Sequence, residues 1–305
     1  MTARTSQNPA TPEFSNTMID NGGGIDPASF FSKKVSAMSQ LSNIEKEVSQ
    51  DAFILEASVI NRVAQVTIAF WIMKILATTL GETAGDFISM TLNLGYYVGF
   101  AVTFSALAII LFLKVKAQNY SSILFWTAIV ATTTAGTEVS DMLDRSFGLG
   151  YMWGSLILVA GLIVTLAIWL ARHKALGVYP IYKREVEILF WAAVVFSNSL
   201  GTAFGDFLTD NAGLSYIQGA LVTAAIIGVV AILHYGTRIN HVFLFWMAFI
   251  FTRPFGATFG DFLTKPLAKG GLDLPREYAS LMTFMLLAAV LFYSMRLDRA
   301  KQDAA

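Results

Sequence analysis

The chain repeats one pattern four times. After each Phe-Trp pair a glycine follows the Trp by ten residues and an aspartate follows it by fifteen. The copies are Phe70-Trp71…Gly81…Asp86, Phe125-Trp126…Gly136…Asp141, Phe190-Trp191…Gly201…Asp206 and Phe245-Trp246…Gly256…Asp261. The residue before each aspartate is Gly85, Ser140, Gly205 or Gly260. A repeat this regular sets the same acidic group at the same depth of four equivalent elements. Each copy lies in an apolar stretch long enough to cross a bilayer, so the carboxylates are intramembrane groups.

Hydrophobic residues make up 55% of the 305-residue chain and charged residues 14%, a balance that fits a polytopic membrane protein. The expected architecture is all-α. Eight transmembrane helices are expected over 63–88, 96–113, 123–143, 151–170, 188–208, 216–233, 242–263 and 278–295. They pair as four helical hairpins, each a motif helix and a plain return helix. Asp86 to Asp206 spans 120 residues, and so does Asp141 to Asp261. The chain therefore divides into a cytoplasmic, partly disordered segment at 1–57, four-helix membrane halves at 58–177 and 178–297, and a tail at 298–305. Residues 1–27 are expected to be disordered and 29–62 to form a partly helical, amphipathic lead-in. An even number of spans per repeat makes all copies parallel, about an axis along the membrane normal.

Basic residues cluster at the Trp ends, among them Arg62, Lys114, Lys116, Arg172, Lys183 and Arg238. The loops after the aspartates carry only Arg145, Lys265, Lys269 and Arg276. The positive-inside rule then sets both termini in the cytoplasm of a bacterial inner membrane. Tyr96, Tyr151 and Tyr216 recur ten residues after an aspartate, as an aromatic belt or a gate.

An ionised aspartate inside a span costs about 2.5–3.5 kcal/mol, so four need compensation. Three forms are open. The aspartates lie about 30 Å along their helices, so they can cap polar ends at the outer interface. Lys74 and Arg253 lie in motif helices and can serve as counter-ions; Arg253 is expected to approach Asp261 or another motif aspartate, with Pro254 kinking the helix beside it. The third form is a bound cation. Positions seven, eleven and fifteen after the Trp read Thr78, Glu82, Asp86 in copy one, Thr133, Thr137, Asp141 in copy two and Asn198, Thr202, Asp206 in copy three. Spacing by four keeps each row on one helix face. Glu138 and Asp144 flank Asp141.

Oxygen donors alone suit hard cations or protons, and the metal ligands would be Asp86, Asp141, Asp206 and Asp261. Glu82, Glu138, Asn198, Thr78 and Thr133 complete the expected ion path. There are no cysteines, and His173, His234 and His241 lie at the opposite helix ends, which removes thiolate and imidazole metal sites from consideration. Six acids against Lys74 and Arg253 leave four negative charges, enough for two divalent cations. No cofactor, no nucleic-acid partner and no enzymatic activity are expected; Walker and H-E-x-x-H sequences are absent.

From Trp71 to Met295 the chain resembles a group of bacterial multi-pass membrane proteins with four G-x-x-x-G-D copies. Gly81-Glu82-Thr83-Ala84-Gly85-Asp86 also resembles, loosely, the glutamate–glycine–aspartate motif of manganese/calcium cation–proton antiporters, although Phe87 stands where that motif has a basic residue. That second likeness implies a cation site at Glu82 and Asp86. The expected function is a secondary transporter or exporter of a hard divalent cation, Mn²⁺ first, coupled to protons. The alternatives are a passive monovalent-cation channel and a non-transporting membrane scaffold. Homo-oligomers are compatible with either.

Overall fold

The structure is a computed structural model, and it describes residues 35–46, 61–117 and 120–304. The expected disordered stretch at 1–27 and most of the lead-in lie outside these residues. The chain forms two compact units, Met1–Leu55 and Glu56–Ala305. In the first, residues 35–46 form helix α1, with Val35, Met38, Leu41 and Ile44 exposed at a spacing of three. Successive members of that series lie about one turn apart and drift around the helix, so they mark no single face.

The described residues of the second unit form eight long helices: α2 (Ile68–Asp86), α3 (Gly95–Lys116), α4 (Ser122–Asp141), α5 (Gly150–His173), α6 (Arg184–Asp206), α7 (Tyr216–Gly236), α8 (His241–Thr264) and α9 (Arg276–Ala304). Short polar side chains begin several of them. Thr67 accepts from Phe70 N at 3.2 Å, Ser121 from Leu124 N at 3.3 Å and Asn240 from Val242 N at 2.8 Å. Each cap satisfies an amide with no partner in the first turn.

After the first three aspartates the helix widens into a five-residue π turn: Phe87–Thr91, Met142–Ser146 and Phe207–Asn211. Seven residues beyond each aspartate, Asn93, Gly148 and Gly213 take φ of 54°, 68° and 72°. The turn needs a left-handed residue there, which glycine and asparagine tolerate best. The fourth copy carries its insertion instead, with a 3₁₀ turn at Leu267–Lys269 and Gly270 at φ 81°.

The packing corrects the hairpin expectation. A return helix does not pack along its own motif helix. It packs on the motif helix of the next repeat: α3 on α4, α5 on α6, α7 on α8, and α9 back on α2. The motif helices meet in a closed ring, α2–α4–α6–α8–α2. The repeats interlock, and the chain closes only when its last helix reaches its first.

Among the described residues, six helices are long and apolar enough to cross a membrane: α3, α5, α6, α7, α8 and α9. The expected eight therefore become six on length and composition. The two others are α2, which carries Lys74, Glu82 and Asp86, and α4, which carries five threonines and two acids. Both are inner helices, where polar side chains are covered by protein. In α6 and α8, also inner, 61% of the span is buried, against 22–28% in the four outer helices. Outer residues such as Val102, Phe112, Ile163 and Phe284 are exposed, as a lipid-facing surface requires.

Candidate functional site

Two aromatic residues per repeat close one end of the ring. Each Phe touches the Trp of the following repeat: Phe70 on Trp126 at 5.4 Å between ring centroids, Phe125 on Trp191 at 5.5 Å, Phe190 on Trp246 at 6.4 Å and Phe245 on Trp71 at 5.6 Å. Each such pair contributes about 0.5–1.5 kcal/mol beyond its buried area.

Above this girdle the glycines let the helices approach. A Cβ on Gly201 would lie 2.5 Å from Arg253 Cβ and 2.9 Å from Pro254 Cδ. Gly136 faces Asn198 in the same way, and Gly81 and Gly256 face Thr133 and Thr78. The rule is cyclic: the glycine of each copy receives the residue seven after the Trp of the next. The second small position repeats it one turn on, Gly85 against Thr137, Gly205 against Ala257 and Gly260 against Glu82.

Charged groups then stack along the inside of the ring. Lys74, fully buried, donates to Asn198 Oδ1 at 3.0 Å and lies over the Phe249 ring at 4.0 Å. Asn198 passes the contact on to Thr132 Oγ1 at 3.0 Å. Arg253, also fully buried, donates to Glu82 Oε2 at 3.0 Å and to Thr137 Oγ1 at 2.6 Å. Next come the four aspartates, each 2–4% exposed.

Two cations bridge the aspartates in pairs. Arg145 lies 3.1 Å from Asp141 Oδ1 and 3.1 Å from Asp206 Oδ2. Lys265 donates to Asp86 Oδ2 at 2.8 Å and lies 3.0 Å from Asp261 Oδ1, off the hydrogen-bond line. Arg276 reaches Asp86 at 3.5 Å. Carboxylate oxygens of Glu82, Asp206 and Asp261 lie within 4.8 Å of one another.

A repeat family model, described as "Repeat of Unknown Function (DUF347)", matches residues 69–120, 124–175, 189–240 and 244–300. The chain belongs to the DUF347 repeat family. Each match takes in one motif helix and the return helix after it. A search of the curated proteins and of the solved structures found no match to this chain. No comparison returned a cation–proton antiporter, so that likeness has no support beyond the residues that suggested it.

Arg253 is paired with Glu82 and with no aspartate, and helix α8 is continuous through Pro254. Its guanidinium turns across the ring toward α2 because Gly201 and Gly256 bring those helices close. Lys74 touches an amide and an aromatic ring, with no carboxylate in ion-pair reach among the described residues. It is therefore not a counter-ion to the aspartates. Thr78 and Thr133 donate to Thr252 O at 3.2 Å and Ala77 O at 3.0 Å. They tie neighbouring helices together and leave the acid layer to others. Glu138 lies apart, against Gly99 of α3.

The aspartates' counter-ions are the residues that sequence reasoning placed in loops. Arg145 and Lys265 stand four after Asp141 and Asp261, and 120 residues apart, the spacing of the two halves. The same offset from the other aspartates gives Met90 and Asp210. A helical i,i+4 reading past the aspartates was the missing signal. The recurring tyrosines follow the same geometry: Arg145 donates to Tyr96 Oη at 3.1 Å, and Tyr151 donates to Asp210 at 2.6 Å. Side chains of Arg145, Lys265 and Arg276 are 32%, 16% and 25% exposed, so the layer reaches its surroundings through its cations.

The charge balance changes accordingly. Adding Arg145, Lys265 and Arg276 to Lys74 and Arg253 sets five cations against the same six acids, leaving one negative charge where the sequence count left four.

At the Trp end a separate cluster joins the two halves. Glu187 on α6, fully buried, is paired with Arg62 before α2 and with Lys114 Nζ of α3 at 2.8 Å. Arg62 also donates to Val115 O at 2.7 Å.

Proposed function

We propose that this protein is an eight-span secondary transporter of a hard cation, coupled to protons, with both termini and the Trp girdle on the cytoplasmic side of a bacterial inner membrane. The carrying observation is the convergence of Glu82, Asp206 and Asp261 from three helices. Oxygens that ligate one hard cation at 2.0–2.6 Å lie no more than about 5 Å apart, and these three meet that limit. All donors are oxygen, which favours Mn²⁺, Mg²⁺, Ca²⁺ or Na⁺ over soft metals.

In this mechanism Lys265 and Arg145 are tethered cations that hold the acid layer together when no cargo is bound. A cation arriving between Glu82, Asp206 and Asp261 competes with Lys265 for Asp261. One residual negative charge accepts a monovalent ion directly; a divalent ion requires Lys265 to swing toward the exposed side. The passive-channel alternative is disfavoured by the two fully buried cations, Arg253 and Lys74, and by the aromatic girdle that links all four motif helices.

The scaffold alternative draws on the same pairing of every aspartate with a built-in cation. Flux measurements separate the two. In liposomes, Asp206→Asn and Asp261→Asn should each lower Mn²⁺ or Na⁺ flux at least tenfold. Wild-type flux in both variants would end the transporter reading. A stability screen against Mn²⁺, Mg²⁺, Ca²⁺ and Na⁺ identifies the cargo, since a ligand of the folded state raises its melting temperature.

A further inference from the structure

Glu138 has no counterpart in the other copies. The position twelve after the Trp is Thr83 in copy one, Ala203 in copy three and Thr258 in copy four. In each repeat pair seen, this position faces the return helix of the preceding repeat: Thr258 lies against Gly219 of α7, and Thr83 accepts from Ser280 of α9 at 3.0 Å. In copy two a carboxylate occupies this interhelical seam. It lies outside the group formed by Glu82, Asp206 and Asp261.

The seam is built to hold it. Glu138 is 0% exposed, and neither carboxyl oxygen has a hydrogen-bond partner. A Cβ on Gly99 would stand 2.7 Å from Oε2, so glycine at that place in α3 lets the acid lie close against the helix. The Ser89 hydroxyl lies beside it and donates to the Gly85 carbonyl at 3.1 Å; turned toward Glu138 it would offer a carboxylate one donor, and as it stands its oxygen can accept from an acid O–H.

The charged surroundings agree. The charged groups that bear on Glu138 are Glu82 and Asp86 of α2 and Asp141 of α4 itself; Asp144 and Arg145 follow on α4, and the titratable residues at the start of α3 are Tyr96 and Tyr97. Arg145 and Arg276 are committed to aspartates, and no cation lies in ion-pair reach of Glu138 among the described residues. A buried charge with no ion-pair partner is costlier than its neutral form.

We infer that Glu138 is a proton-binding site, separate from the cation site, that takes and releases a proton at the α3–α4 seam. Its use in coupling rests on the transporter reading; the bound proton does not. An apolar crevice lined by Phe100, Leu107, Val139, Met142 and Phe196 runs beside this seam, so a lipid-soluble reagent can approach it.

Two measurements test it in purified full-length protein. The infrared spectrum at neutral pH should show a protonated-carboxyl C=O band that disappears in Glu138→Gln and persists in Asp144→Asn. Dicyclohexylcarbodiimide, which adds to protonated carboxylic acids, should label Glu138 in the wild type. Labelling should fall about tenfold per pH unit above the site's midpoint. The mass mapping uses wild-type protein, so it stands if the variant misfolds. Spectra of wild type and Glu138→Gln that coincide from acid to neutral pH would overturn the assignment. So would carbodiimide labelling that maps only to other acids. If the band and the label are found but no cation flux exists, the proton site stands and the transporter reading fails. If both hold, Glu138→Gln should cut flux driven by a pH gradient at least tenfold while retaining the cation-induced rise in melting temperature.

Discussion

Arg253 on α8 donates to Glu82 on α2 across 171 residues of sequence, at 3.0 Å, with both side chains enclosed by the ring. The pair joins the last motif helix to the first at the seam where the ring closes. Removing one partner leaves the other charged and buried, which costs about 3–5 kcal/mol, whereas removing both is far milder. Arg253→Met should therefore destabilise strongly, Glu82→Gln likewise, and the double variant should recover much of the loss. Thermal unfolding in detergent across that double-mutant cycle is the measurement; additive losses would show that the two are not coupled.

Gly201 makes room for Arg253. Gly201→Ala should cost about 1–3 kcal/mol, because the added methyl meets Arg253 and Pro254 at 2.5–2.9 Å. Gly228 of α7 has nothing within 4 Å of its built Cβ, so Gly228→Ala should stay within about 0.5 kcal/mol of wild type. Equal melting temperatures for the two variants would show that the ring is looser than the contacts imply.

Lys265 holds Asp86 and Asp261 together. If it is a tethered competitor for the cargo, Lys265→Met should tighten cation binding by roughly ten- to a hundredfold, the effect of removing one nearby unit charge at an effective dielectric of about 20. Transport should slow, since the ion is then harder to release. Calorimetric titration with Mn²⁺ and Na⁺ decides; weaker binding in Lys265→Met would make the lysine a structural clamp.

Glu187 pairs with both Arg62 and Lys114. Glu187→Ala should destabilise by about 3–5 kcal/mol through two stranded cations, and Glu187→Gln by less, since an amide oxygen still accepts. Identical melting curves for the two substitutions would mean that hydrogen bonding to this position contributes nothing.

Topology gives an independent check. Reporters fused after Ala305 and within the loop at 265–275 should lie on opposite sides of the membrane. Same-side signals would refute an α9 that spans the bilayer.

The fourfold Trp-to-Asp spacing by itself determined the repeat, the helical class and the apolar surface, because covalent periodicity and hydropathy are local properties. It also placed Glu82 and the four aspartates at the acidic ends of the motif helices. It did not determine who packs on whom. Each return helix crosses to the next repeat, and only a closed ring makes Phe245 meet Trp71 and Arg253 meet Glu82. Pairing across such distances depends on helix rotation and glycine contacts that no single repeat contains. The aspartates' counter-ions lay in plain view at Arg145 and Lys265, yet as loop residues they seemed to belong to the surface. Arg145 lies in the second π turn and Lys265 caps α8, so the helical turn after each of their aspartates carries the cation back over the acids. Tertiary structure alone decided that Glu138, one residue off the row of inward-facing positions, stands in the α3–α4 seam, because a helix advances about 100° per residue and that step moves a side chain from the axis to the neighbouring interface.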